Sequence, residues 1–171
     1  HISANGLPLK PGDEILPVKG AFPAKSLPWL ALRNNGVVVR ETQPEGHVLT
    51  ADDVRRSITE STKILGATWV DSFTGFALDM EAIGRLCKEN GIQFLLNVTQ
   101  GLGARQLDVS KAPIDGITSS GYKWLCGPYG TGFCWMQQGV LDSLQYNQAY
   151  WLVMQGDRDL DRIRDYRIRD D

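Results

Sequence analysis

Short hydrophobic runs alternate with amphipathic segments along the 171 residues of the chain. Runs of strand length cover residues 14–18, 37–39, 63–70, 92–96, 114–119 and 132–136. Helices are predicted over residues 27–32, 50–58, 78–89 and 140–146, and residues 1–7 resemble the end of a further helix. Strands that alternate with helices predict βαβ units. The expected fold is therefore α/β, with three α/β/α layers and a mostly parallel sheet.

Several predicted helices carry boundary signals. Thr50 is followed three positions later by Asp53, which is typical of a capped helix start. Gly36 and Gly91 each follow an asparagine at the end of a helical pattern, where a left-handed residue stops a helix. These signals place the helices between the strands and support the alternating order.

Polar residues follow three of the predicted strands. Asp71 and Ser72 come after one strand, residues 97–100 after the next and residues 119–123 after a third. In open α/β sheets, ligands bind outside the carboxyl ends of the strands. We therefore expect these three polar clusters to meet at one edge of the sheet and to form the functional site.

The overall composition is that of a soluble globular protein. Hydrophobic residues make up 42% and charged residues 22% of the chain, and the net charge is −2. This balance favours neither nucleic acid nor an anionic membrane as a partner. No apolar run approaches the roughly 20 residues that span a bilayer. Arginines and aspartates alternate over residues 157–171, which predicts a solvated helix or loop.

The chain has three cysteines, Cys87, Cys126 and Cys134, and two histidines, His1 and His47. An odd number of cysteines without a C-x-x-C spacing, and histidines far apart, predict no metal site. The same pattern suits a reducing compartment, so a cytoplasmic location is expected. Cys126 is interpreted as a small buried thiol.

Lys123 is a candidate nucleophile in the third polar cluster. Trp124 and Leu125 follow it, and a glycine-rich turn occupies residues 127–132. Apolar surroundings would disfavour the charged amine and lower its pKa, as nucleophilic catalysis requires. A lysine beside aromatic residues is also typical of a surface side chain that lies over a ring. The local sequence alone leaves both interpretations open.

Ordered motifs along the chain resemble the class V aminotransferase group of fold-type I pyridoxal-phosphate enzymes. Residues 120–124 (Ser-Gly-Tyr-Lys-Trp) and 127–132 (Gly-Pro-Tyr-Gly-Thr-Gly) are similar to that family's attachment motif and the turn after it. Further blocks that resemble the family lie at residues 10–15, 22–29, 69–75 and 97–104. The group includes cysteine desulfurases, selenocysteine lyases and isopenicillin-N-epimerase-like proteins. The resemblance covers nearly the whole chain in the same order.

The resemblance implies a cofactor, pyridoxal 5'-phosphate, and a role for each matching residue. Lys123 would hold the cofactor as a Schiff base and move the substrate's α-proton. Ser120 matches a phosphate-binding serine, and Tyr122 replaces a histidine whose contact its hydroxyl could still make. Gln100 matches the residue that hydrogen-bonds the cofactor's phenolic oxygen.

Three further positions are assigned by the same resemblance. Phe22 lies where the family stacks a ring on the pyridine, and Ser72 matches a position near cofactor and substrate. A ring packed in the core would explain Phe22 equally well, and a side chain that caps the end of a strand would explain Ser72 equally well. Asn97 stands where the family has an aspartate that keeps the pyridine nitrogen protonated. An asparagine can bond to that nitrogen but supplies no negative charge, so a weaker electron sink is expected.

The resemblance also sets expectations for the whole protein. Residues 1–171 would form the central segment of the cofactor-binding large domain, with the family's N-terminal phosphate loop and C-terminal small domain absent. Family subunits pair, so a homodimer acting on a small amino-acid substrate is expected, without nucleic acid or membrane. The reaction would be that of an aminotransferase, epimerase or lyase. Alternatives are a cysteine desulfurase or selenocysteine lyase, or a non-catalytic family member or fragment that holds no cofactor.

Two unrelated classes were weighed against this interpretation. A dinucleotide-binding domain needs Gly-x-Gly-x-x-Gly after its first strand, and residues 101–106 lack the third glycine and follow the wrong strand. A serine hydrolase of the α/β type needs a Gly-x-Ser-x-Gly elbow, which the sequence does not contain. Both classes are disfavoured.

Overall fold

The computed structural model describes residues 2–145, 154–155 and 167–168. A six-stranded sheet has the order β2-β1-β3-β4-β5-β6, in which the pairs among the first five strands are parallel and β6 runs antiparallel to β5. The strands are β1 (Glu14–Pro17), β2 (Val38–Val39), β3 (Thr62–Thr68), β4 (Gln93–Asn97), β5 (Gly116–Ser120) and β6 (Gly132–Met136). All six predicted strands are present, and the predicted mostly parallel sheet is confirmed.

Helices cover both faces of the sheet. They are α1 (Ile2–Gly6), α2 (Pro23–Ala31), α3 (Ala51–Ser57), α4 (Met80–Glu89) and α5 (Gln138–Ser143), and a 3-10 turn (Leu32–Asn35) extends α2. Val54 of α3 and Ile83 of α4 pack in one core cluster, whereas Trp29 of α2 and Val140 of α5 pack in another. The two clusters lie on opposite faces, so the three predicted layers are confirmed.

Burial of both faces explains the uninterrupted apolar runs of the central strands. In β4, Phe94 and Leu96 belong to the cluster of α3 and α4, whereas Leu95 between them belongs to the cluster of α2. Successive side chains of a strand point to opposite faces, so a strand covered on both sides has no polar positions.

The predicted helix boundaries reflect local hydrogen bonding. The Thr50 hydroxyl accepts a bond from the Asp53 backbone while the Asp53 carboxylate accepts one from the Thr50 backbone, which forms a capping box at the start of α3. Gly36 ends the 3-10 turn after α2 with a φ of 80°, in the left-handed region. The predicted helix over residues 140–146 is α5, and Tyr146 lies outside the described residues.

One expectation for the C-terminal residues is wrong where the structure describes them. Two short strands, β7 (Met154–Gln155) and β8 (Arg167–Ile168), pair antiparallel to each other, apart from the main sheet. The described part of residues 157–171, Arg167–Ile168, is therefore a strand and not a helix or loop, because its backbone pairs with Met154–Gln155. Within the described residues, no helix is both long and apolar enough to cross a membrane.

Candidate active site

The three predicted polar clusters meet at the carboxyl edge of the sheet. Strands β3, β4 and β5 are parallel neighbours, so the segments that follow them emerge side by side. The Gln100 amide nitrogen lies 3.4 Å from the Ser72 hydroxyl, and the Ser120 backbone nitrogen donates to the Thr99 hydroxyl at 3.0 Å. These two bonds tie the segment after β4 to the segment after β3 and to the end of β5.

Two glycines let the segment after β4 pack closely against its neighbours. A Cβ atom at Gly101 would lie 2.5 Å from the Trp69 ring. Gly103 has a φ of 97°, and a Cβ atom there would lie 2.6 Å from the backbone oxygen of Trp124. Only glycine combines this backbone conformation with such a close approach. Gly103 therefore sets the contact between the segment after β4 and the loop that carries Lys123.

The loop that carries Lys123 is closed by its own backbone. Gly121 donates to the Thr131 carbonyl at 2.8 Å, Gly127 donates to the Gly121 carbonyl at 2.8 Å, and Cys126 donates to the Lys123 carbonyl at 3.0 Å. Cys126 has a φ of 54°, a left-handed conformation that is unusual for a residue with a side chain. Its thiol is exposed, so the interpretation of Cys126 as a buried residue is wrong. Its place on this tight surface loop explains the exposure.

The surroundings of Lys123 agree with one of its two local interpretations, a surface side chain that lies over a ring, and not with an apolar pocket. Its side chain is exposed, and its amine lies 5.4 Å from the centroid of the Tyr122 ring. Tyr122 stacks on Tyr129 with the ring centroids 4.6 Å apart. The aromatic residues lie beneath the amine and do not enclose it, so the amine stays accessible from the carboxyl edge of the sheet.

Asn97 ends β4 with its amide orientation fixed. Its Oδ1 accepts a bond from the Thr99 backbone nitrogen at 3.1 Å, and its Nδ2 donates to the Thr118 hydroxyl at 3.3 Å. Because a backbone nitrogen can only donate, the amide oxygen must face Thr99 and the amide nitrogen must face Thr118. One of the two Nδ2 hydrogens is left for a ligand.

The remaining predicted residues lie at the same edge with differing burial. Phe22 precedes the first turn of α2 and is 49% exposed, so it is not a core ring. Ser72 and Ser120 are half-buried, and Tyr122 is 37% exposed. Core packing therefore does not explain why position 22 carries an aromatic residue.

Lys25 is a candidate site residue that the sequence patterns do not single out. Its amine donates to the Thr68 hydroxyl at 2.8 Å, from α2 to the end of β3. Burial lowers the pKa of Lys25 to about 8, and the Asp71 carboxylate partly opposes this shift. Lys25 is half-buried because α2 packs on the sheet. Its only sequence signal is its place one turn after Phe22.

Lys25 lines a cavity between α2 and the sheet, with a volume of about 110 Å³. Asn97, Thr68 and Thr118 line the same cavity from the strand ends. No group of three or more His, Cys, Asp or Glu side chains suited to a metal ion occurs in the part of the chain that the structure describes. The polar groups of this edge are thus mainly amines, amides and hydroxyls, with the Asp71 carboxylate close enough to act on Lys25.

The mostly parallel sheet, covered on both faces, defines an α/β domain. The accessible lysine and the oriented amides at its carboxyl edge form a candidate small-molecule site. Comparison with known proteins specifies the family. The family model "Aminotransferase class-V" matches residues 1–149. The chain therefore belongs to the class V aminotransferase family.

Individual relatives agree with this assignment. A "Probable cysteine desulfurase" of Methanothermobacter thermautotrophicus is 30% identical over 146 residues, which are 85% of this chain and 36% of the relative. The chain thus spans little more than a third of that protein's length.

Solved structures show the same fold. The cysteine desulfurase CsdA of Escherichia coli superposes with a TM-score of 0.83 at 23% identity, covering 90% of this chain and 40% of CsdA. A C-DES mutant with glycine covalently linked to its PLP cofactor superposes with a TM-score of 0.82 at 21% identity, covering 90% of this chain and 42% of C-DES. The described sheet corresponds to part of the fold of these proteins.

Proposed function

We propose that this chain forms the cofactor-binding part of a pyridoxal-phosphate enzyme that acts on an amino acid, with Lys123 as the residue that holds the cofactor. The observation that carries the proposal is the contact at Gly103, which holds the Lys123 loop against the segment of Asn97 and Gln100. Membership of the class V aminotransferase family supports the same conclusion. By the chain's share of its relatives, we assign it to the central segment of the large domain.

The residues at the carboxyl edge fit the chemistry of the cofactor. An aldehyde needs an accessible primary amine, and Lys123 supplies one. A phenolic oxygen and a pyridine nitrogen need hydrogen-bond donors, and the Gln100 and Asn97 amides supply them. The free aromatic face of Phe22 suits stacking on a planar ring.

Each of these residues has a task in binding or proton movement. Ser120 and Tyr122 contribute hydroxyls beside the Lys123 loop for the phosphate group. Ser72 positions the Gln100 amide through their contact at 3.4 Å. The bound cofactor supplies an electron-withdrawing ring, and the Lys123 amine accepts and returns the proton at the substrate's α-carbon.

The reaction is that of an aminotransferase, an epimerase or a lyase. A cysteine desulfurase is the second candidate, favoured by the Methanothermobacter relative and by the similarity to CsdA. A homodimer, a cytoplasmic location and an amino acid as the substrate are further parts of the proposal. Cys87 and Cys126 are free thiols, which is consistent with a reducing compartment.

Reductive trapping tests the assignment of Lys123. The chain is incubated with excess pyridoxal phosphate, reduced with borohydride and mapped by peptide mass. Excess cofactor and trapping are needed because we expect this chain to bind the cofactor weakly by itself. The label should concentrate on Lys123 and should disappear in Lys123→Arg.

Lys111 is the matched control for this labelling. It is also exposed, it lies 3.6 Å from Asp108 in an ion pair, and it lines a pocket with Gln93 at the start of β4, away from the carboxyl edge. Lys111→Arg should leave the label on Lys123 unchanged. Equal labelling of Lys111 and Lys123 in the unaltered chain would show that Lys123 is an ordinary surface lysine and would refute the proposal.

A further inference from the structure

Strand register aligns a row of polar side chains beneath α2. Thr68 of β3 is the register partner of Asn97 in β4, and Asn97 is the partner of Thr118 in β5. Register partners on neighbouring strands are about 4.8 Å apart and present their side chains on the same face of the sheet. All three side chains line the cavity under α2, and we call them the strand-end row.

Lys25 gives this cavity its charge. Among the described residues that line the cavity, Lys25 is the only one with a basic side chain; Cys134 contributes a thiol, and no carboxylate lines the cavity. Its amine is bonded to Thr68, the first member of the strand-end row and the neighbour of Asn97. Asp71 acts on Lys25 electrostatically from the segment after β3. The cavity therefore presents a cation and neutral groups to a ligand.

Asn97 adds a second donor. Its oxygen is held by the Thr99 backbone, so its nitrogen faces Thr118 and the cavity side of the row. An amide nitrogen carries two hydrogens, and Thr118 takes one of them. The ligand atom that Asn97 receives must then be a hydrogen-bond acceptor.

We infer that Lys25 and Asn97 hold the ring nitrogen of the cofactor without a proton. The inference rests on the proposed function, which places that nitrogen at Asn97. An unprotonated ring nitrogen accepts the free Asn97 hydrogen, whereas a protonated one would meet a donor. Repulsion by the Lys25 ammonium one strand away would oppose the protonated form further.

The consequence for the reaction concerns electron withdrawal. A neutral pyridine ring withdraws electrons less strongly than a protonated one. Proton removal from the substrate then depends more on the protein's own groups, above all on the Lys123 amine. Lys25 acts as a positioning and electrostatic residue in this scheme.

The coupling between positions 25 and 97 can be tested without cofactor. Competitive acetylation across a pH series measures the pKa of Lys25 in the chain, in Asn97→Asp and in Asn34→Asp. Asn34 is an exposed asparagine in the 3-10 turn and serves as the matched control. The pKa of Lys25 should rise from about 8 by more than one unit in Asn97→Asp and should not change in Asn34→Asp. An unchanged pKa in Asn97→Asp would overturn the inference.

The protonation state itself is read in the trapped adduct. Pyridoxal phosphate labelled with ¹⁵N in the ring is reduced onto Lys123, and the ¹⁵N shift reports whether the ring nitrogen carries a proton. At pH 7, below the pKa of Lys25 of about 8, Lys25 is mostly charged; there we expect no proton in the unaltered chain and a proton in Asn97→Asp combined with Lys25→Met. A protonated nitrogen in the unaltered adduct overturns this inference and leaves the proposed function standing. Failure to form any adduct on Lys123 refutes the proposed function and, with it, the inference.

Discussion

Gly103 makes the site depend on the absence of a single methyl group. Gly103→Ala would place a Cβ atom 2.6 Å from the Trp124 backbone oxygen in a left-handed conformation. Gly75→Ala is the matched control, because Gly75 has a φ of 74° with nothing within 4 Å of its Cβ position. Backbone strain should lower the free energy of unfolding by about 1–2 kcal/mol in both variants.

In Gly103→Ala the free energy of unfolding should fall by roughly 1–3 kcal/mol more than in the control, because the Trp124 backbone must move. Urea unfolding measures both losses. Trapping of pyridoxal phosphate on Lys123 should fall in Gly103→Ala and persist in Gly75→Ala. Equal losses in the two variants would show that the loop adjusts freely.

Lys123 and Lys25 show which properties of a single residue can be predicted from the sequence and which cannot. The motif singles out Lys123, and its exposed position over Tyr122 agrees with the second of its two local interpretations, a surface side chain that lies over a ring. Lys25 was overlooked, yet burial lowers its pKa to about 8. Motifs identify a residue by its neighbours in the chain, whereas burial depends on elements distant in the chain. The packing of α2 on β3, which buries Lys25, has no local signal.

At the scale of elements, α2 is positioned by a ring lying over a glycine. A Cβ atom at Gly66 in β3 would lie 2.9 Å from the Trp29 indole nitrogen. Gly66→Ala should therefore displace α2, weaken the Lys25 bond to Thr68 and lower the free energy of unfolding by about 1–3 kcal/mol. Thermal or urea unfolding, together with the pKa of Lys25, measures the effect.

The control is Gly139→Ala in α5. Nothing lies within 4 Å of a Cβ atom at Gly139, and alanine in a helix interior is favoured by about 0.5–1 kcal/mol. This variant should be neutral or slightly more stable. If Gly66→Ala behaved in the same way, the position of α2 would not depend on the contact with Trp29.

The sequence predicts the positions of the strands along the chain better than their directions in the sheet. The predicted strand over residues 132–136 coincides with β6, but its antiparallel direction was not predicted. The turn over residues 121–131 is too short to contain a crossover helix, and parallel neighbours need one. The length of this connection was the available signal.

At the scale of the molecule, carboxylates with lowered pKa govern stability in acid. Burial alone would raise the pKa of Glu14, but bonds from Arg40, Thr62 and Thr59 more than offset it and lower it. Hydrogen bonds lower the pKa of Asp53 and Asp71 against the same effect of burial.

A lowered pKa in the folded state means that the unfolded chain binds more protons as the pH falls. The stabilisation is complete above the unfolded pKa of about 4 and is lost as the pH falls through the folded pKa. The free energy of unfolding should therefore decrease from about pH 5 downwards. Glu14→Gln should lower stability at pH 7 and flatten this decrease, as urea titrations at several pH values would measure.

Asp115 provides a comparison of opposite sign. Burial raises its pKa, although a bond from the Phe94 backbone partly opposes the shift. Its contribution to the free energy of unfolding therefore becomes more favourable as the pH falls. Asp115→Asn removes this contribution and should make the loss of stability in acid steeper. A pH profile identical in Glu14→Gln, Asp115→Asn and the unaltered chain would contradict this assignment of the titrating groups.

The strand-end row also ties binding to the time course of folding. Thr68, Asn97 and Thr118 belong to parallel strands, and each neighbouring pair is separated by a long connection in the chain. Such non-local pairing forms slowly, and a slip of one residue would turn the row to the other face of the sheet. Capacity to capture pyridoxal phosphate should thus emerge only after all three strands are in register. Trapping on Lys123 at successive times after dilution from denaturant would then measure the rate of the last step of refolding.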